Sequence, residues 1–132
     1  MTEAQTALSR RVVACKGWRW MPGTATVQGE RVVLVDADGT LRLAAPWGGT
    51  VGVTAVRSFY DSSGACLPDL SDAATLGCLL ALVREAWGQD DLVAFRFDGQ
   101  WCAEVTPQEG QHHAFYGASE AEALAAALEA AP

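Results

Sequence analysis

Lysine is almost missing from this chain. Lys16 is the only one, and Lys and Arg together number 9 against 16 Asp and Glu, a formal charge of -7. Proteins that grip a nucleic-acid backbone neutralise its phosphates with a basic stripe. Here only Arg10, Arg11, Lys16 and Arg19 cluster, and Arg31, Arg42, Arg57, Arg84 and Arg96 are scattered. Long-range repulsion therefore argues against nucleic acid and anionic membrane as partners, while a small anion held by two or three local arginines stays open. No apolar run approaches the ~18 residues that cross a bilayer. The start MTEAQTALSRR lacks the apolar stretch of a secretory signal, so a cytoplasmic protein of a host cell is the expectation.

Close cysteine pairs are absent too. Cys15, Cys66, Cys78 and Cys102 lie far apart, and with His112 and His113 they meet only by distant convergence, so neither a metal site nor a disulfide framework is expected. Nothing in the chain reads as a phosphate-binding loop, a nucleophile elbow, a zinc-binding helix or a dinucleotide fingerprint. The segment Asp36-Ala37-Asp38-Gly39-Thr40 has the look of a calcium loop but lacks the downstream glutamate and the flanking helices. No cofactor is expected, and catalysis is not the favoured reading.

What is present is a core. Half of the 132 residues are hydrophobic and 19% are charged, which fits one folded domain spanning 1–132. Ala4, Leu8, Val12 and Cys15 recur at helical spacing over 3–15. Residues 72–87 form the clearest helix, with Ser71 or Asp72 as N-cap, Leu76, Leu79, Leu80, Val83 and Trp87 on its apolar side, and Gly88 as C-cap. A last helix follows Ser119, which pairs with Glu122 as a capping box, and buries Ala121, Leu124, Ala125 and Leu128.

Between the helices lie β-rich stretches. Residues 24–28, 31–35 and 41–45 read as a meander, with Val35 opposite Leu41 and Val33 opposite Leu43. Residues 46–70 read as a long connection with one strand around 51–58. Strands at 92–97, 101–105 and about 112–116 complete the set. For the first two, a three-residue loop of Asp98 to Gln100 pairs Phe97 with Trp101, Phe95 with Ala103 and Val93 with Val105, giving one apolar face; a two-residue turn does not. The fold class expected is α+β: a helix and β-meander, then αβββα, with an antiparallel sheet packed by a central helix and a C-terminal helix.

Three stretches carry a resemblance: WRWMPG at 18–23, LPDLSDAATLGCLLALVREAWG at 67–88 and GASEAEALAAALEAAP at 117–132. They resemble a family of small uncharacterised accessory proteins of phages and prophages in GC-rich bacteria, which implies a phage context and supplies no site residues. The order helix, three strands, helix is also similar to double-stranded-RNA-binding domains. Their last helix opens with lysines, whereas Ser119-Glu120-Ala121-Glu122 stands here and would repel phosphate.

The candidate ligand-binding residues are Trp18, Arg19, Trp20, Trp47, Arg57 and Tyr60, aromatic planes with cations close in sequence. The ordinary alternative is that Trp18 and Trp20 pack on the helix at 72–87 while Arg19 is solvated. His112 and His113, one on each face of a strand, have Cys102 and Glu104 on the neighbouring strand; an edge pair of histidines is the ordinary explanation. Two functions follow. One is an anti-defence protein that sequesters a small nucleotide-type signalling molecule of the host. The other is an acidic inhibitor that covers a basic site on a host defence or replication protein. The alanine-rich last helix would suit a twofold mate as well as its own sheet, which leaves a homo-oligomer open.

Overall fold

The computed structural model describes residues 2–44, 48–54 and 67–132. Helix α1 spans Glu3–Val13 and is opened by Thr2, whose side chain accepts from the Gln5 N–H while the Gln5 side chain accepts from the Thr2 N–H. The Thr-x-x-Gln spacing of Thr2 and Gln5 is the sequence pattern of such a reciprocal cap. Helix α2 runs Ala73–Trp87, capped by Asp72 at its start and by Gly88 in the left-handed conformation at its end. Helix α3 covers Glu120–Glu129. Its Ser119 hydroxyl accepts from the Glu122 N–H as expected, but the Glu122 carboxylate takes the Ala118 N–H, so only half of the expected box forms.

Among the described residues the strands make two antiparallel three-stranded sheets, β1-β2-β3 and β4-β5-β6, in an α+β fold. In the first, β1 is Arg31–Val35, β2 Thr40–Ala44 and β3 Thr50–Thr54. Val35 pairs with Leu41 as expected, but Val32, not Val33, pairs with Leu43, because a β-bulge separates Val32 from Leu34. The bulge changes the phase of the strand, so Val32 joins Leu41 and Leu43 inside while Val33 and Leu34 stay exposed. Among the described residues the stretch at 24–28 makes two bridges, Ala25 to Arg31 and Thr26 to Pro68. Those bridges, with Ser9 Oγ donating to the Pro68 carbonyl at 2.9 Å, tie the meander to α1 and to the approach to α2.

The second sheet corrects the expected register. Strand β4 (Ala94–Phe97) meets β5 (Gln100–Val105) with Phe97 opposite Gln100, Arg96 opposite Trp101, Phe95 opposite Cys102 and Ala94 opposite Ala103. The connection is a two-residue turn, Asp98 at φ 51° and Gly99 at φ 79°, the geometry that follows the twist of a hairpin. Strand β6 (His113–Gly117) pairs on the far side of β5, setting Ala103 against Phe115 and Cys102 against Tyr116.

Helix α3 lies over this sheet and also meets α1 and α2. Ala121, Ala123, Leu124, Ala125, Ala127 and Leu128 are all buried, a broad face of the helix that leaves the strip of Glu122, Ala126 and Glu129 toward solvent. Small side chains let it approach the equally small Ala94 and Ala103 beneath it. Helix α2 fills the core alongside with Leu79, Leu82 and Val83, and its Trp87 donates Nε1–H to the Ala127 carbonyl at 2.8 Å. Val32, Leu41 and Leu43 form a separate small cluster under the meander, against which Trp20 packs.

Candidate functional site

Opposed residues of an antiparallel pair share a face and neighbours alternate. The register of β4-β5-β6 therefore sends Ala94, Ala103, Val105 and Phe115 toward α3, and Phe95, Phe97, Cys102, Glu104 and Tyr116 to the other side. Among the described residues no element covers that outer side. Val93 is 50% exposed, Phe95 37%, Phe97 57% and Tyr116 50%. Phe95, Cys102 and Tyr116 form one row across the three strands, and Cys102, in the middle of the row, is only 3% exposed. Burial, with Glu104 nearby, pushes the Cys102 thiol up from its ordinary value and holds it protonated.

The fringe of this face is acidic. Asp90 and Asp91 precede β4, Asp98 sits in the turn, Glu104 lies on β5 and Glu109 in the connection to β6. Glu104 Oε1 is 3.0 Å from His112 Nδ1. His113 points to the opposite face, its ring 6.4 Å from that of Trp87. The expectation of one imidazole on each side of the strand is met. Cys102 and His113 thus stand on opposite faces of the sheet and do not form a nucleophile–base pair. Beside Phe95 the face dips into a notch of about 260 Å³, walled by Gln89, Asp91, Val93, Glu104 and Thr106.

A second hollow, of about 400 Å³, opens between α1, the turn before α2 and the start of α3. Leu8, Leu70 and Leu76 form its apolar side; Asp69, Glu120 and Glu122 contribute carboxylates, and no arginine or tryptophan lines it. Glutamates in the first turn of α3 suit the positive end of the helix dipole, which accounts for two of these charges structurally.

Trp18, Arg19 and Trp20 do come together. The two indoles meet edge to face with centroids 5.6 Å apart, Trp18 against the main core and Trp20 against the meander cluster. Both are half-buried, and Trp18 Nε1 has no hydrogen-bond partner among the described residues although it is buried. Arg19 grips Glu85 on α2 with two contacts, at 2.8 and 2.7 Å. That bond holds the Glu85 carboxyl below its usual range. The aromatic pair thus bridges two clusters of the fold, and its cation already has a carboxylate. Trp47, Arg57 and Tyr60 lie outside the described residues.

The residues that sequence reasoning placed in the core, Phe95 and Phe97, are the ones that form the open face. The available signal was the Asp-Gly pair at 98–99, which favours a two-residue hairpin and by itself sets the register. No group of His, Cys, Asp and Glu suited to a metal ion occurs among the described residues, and no helix there is long and apolar enough to cross a membrane. No family model, curated protein or solved structure matches this chain.

Proposed function

We propose that this protein is a non-catalytic binding module that covers an apolar, basic-rimmed surface of another protein with the outer face of β4-β5-β6. One observation carries the reading: Val93, Phe95, Phe97 and Tyr116 are all exposed on a sheet face that no described element covers. Contiguous exposed apolar patches on soluble proteins mark interaction sites, and aromatic residues dominate interface energetics. The acidic fringe and the charge of -7 set the sign of the partner, since opposite potentials speed encounter and wrong partners are repelled. The resemblance to phage accessory proteins makes a host defence or replication factor the class of partner to examine.

Sequestration of a nucleotide-type molecule draws less support. Arg19 is held by Glu85, and the hollow between α1 and α3 presents carboxylates where an anion would sit. Affinity capture from lysate by the wild type, by Phe97→Ser and by a Val33→Ser/Leu34→Ser control distinguishes the readings. A partner retained by the control and lost with Phe97→Ser supports the sheet face; equal loss from both rejects it. A midpoint shift of several degrees with a cyclic nucleotide would instead favour sequestration.

A further inference from the structure

The notch beside Phe95 differs from the rest of the open face because it combines an apolar wall with two carboxylates. Val93 and Phe95 form one side, and Asp91 and Glu104 supply the charge. Glu104 engages His112 through Oε1, and no hydrogen bond reaches its Oε2 among the described residues. Asp91 has no ion pair there. The neighbouring base, Arg84, donates Nε–H to the Leu92 carbonyl at 2.7 Å and is not among the lining residues. The Gln89 side-chain oxygen accepts from the Thr106 N–H at 2.8 Å and from its hydroxyl at 3.2 Å, which fixes the far wall. At about 260 Å³ the notch is below the ~300–1,000 Å³ of small-molecule sites. It is sized for a side chain.

We propose that the notch seats an arginine of the partner protein, its stem along Val93 and Phe95 and its guanidinium between Asp91 and Glu104. This rests on the reading of the sheet face as a protein-binding surface. Arginine fits better than lysine because a planar guanidinium addresses two carboxylates at once and stacks on an aromatic ring, whereas an ammonium is a compact, strongly hydrated point charge.

The test is an amide-resolved NMR titration with three blocked dipeptides, acetyl-Leu-Arg-amide, acetyl-Leu-Lys-amide and acetyl-Leu-citrulline-amide. Saturable shifts centred on Asp91, Val93, Phe95 and Glu104 are expected with the arginine probe. The lysine probe should bind about threefold or more weaker, and the neutral citrulline probe should leave the notch unperturbed. Glu104→Gln and, separately, Asp91→Asn should each weaken the arginine probe by about fivefold or more with the thermal midpoint preserved. Equal shifts with citrulline, or shifts centred on Asp69, Glu120 and Glu122, overturn the proposal. Phe97 lies at the far end of β4, so Phe97→Ser should leave the titration intact. If capture of the partner survives Phe97→Ser, the face reading fails while the titration still judges the notch; if the titration fails, the notch falls alone.

Discussion

Asp72 does two things at once. Its carboxylate caps α2 through the Thr75 N–H at 2.9 Å and pairs with Arg31 at 3.0 and 3.1 Å, joining the meander to the helix. Arg31 also donates to the Gly23 carbonyl at 2.7 Å. The Arg31 guanidinium, more than the cap itself, holds the Asp72 carboxyl well below its ordinary 3.8. A carboxyl depressed on folding stabilises the native state above its unfolded value and loses that contribution as pH falls below it. Thermal stability should therefore be level from pH 7 to about 5 and fall below about 4, and Asp72→Asn should flatten that acid limb. Asp72→Ala should cost about 1–2 kcal/mol at neutral pH, most of it from the cap, because Arg31 is half exposed and its pairing is screened. Denaturant unfolding of both variants measures the split. Thr24 is the opposite case: it is fully buried, and its hydroxyl has no partner among the described residues. Thr24→Val should leave stability unchanged or raise it by about 1 kcal/mol, read as an upward shift in the urea midpoint at constant slope.

At the scale of elements, the junction of β6 with α3 has no slack. A Cβ on Gly117 would come within 2.5 Å of Glu122 Cβ and 2.7 Å of the Ala123 backbone nitrogen, and backbone cannot move aside as a side chain does. Gly117→Ala should destabilise by about 1–3 kcal/mol and lower the thermal midpoint by several degrees. A Gly117→Ala protein that melts with the wild type would show that the strand and helix are not packed this closely. Helix positions and caps were largely legible, because Asp72, Gly88 and Ser119 act through bonds a few residues long. Strand registers were legible only in part. The bulge after Val32 and the turn at Asp98-Gly99 each shift the pairing by a single residue, which exchanges the two faces.

The fringe of the aromatic sheet face holds five of the sixteen acidic residues, and α3 packs against the other side of that sheet. With Ala123 and Ala127 both buried, the alanine face of α3 is already covered by its own chain. A charge of -7 makes association with a basic partner a steered encounter, screened over about 10 Å at 0.1 M salt. Raising salt from 50 to 500 mM should slow capture of the partner about tenfold or more and change its release far less, a pattern that surface plasmon resonance separates directly. An association rate indifferent to salt would remove the acidic fringe from the mechanism. Of the six candidate ligand-binding residues, the three described ones do gather, yet around Glu85 and the two clusters rather than around a cavity.

Composition, helical periodicity and capping residues by themselves determined an acidic α+β chain with three helices and its strands near their observed places, because those signals act over a few residues or through the summed charge. Which side of β4 and β5 faces inward was decided only in three dimensions. Alternation marks two faces without saying which one a helix will cover, and here the alanine-rich α3 settled against the face of Ala94 and Ala103 and left Phe95 and Phe97 outside.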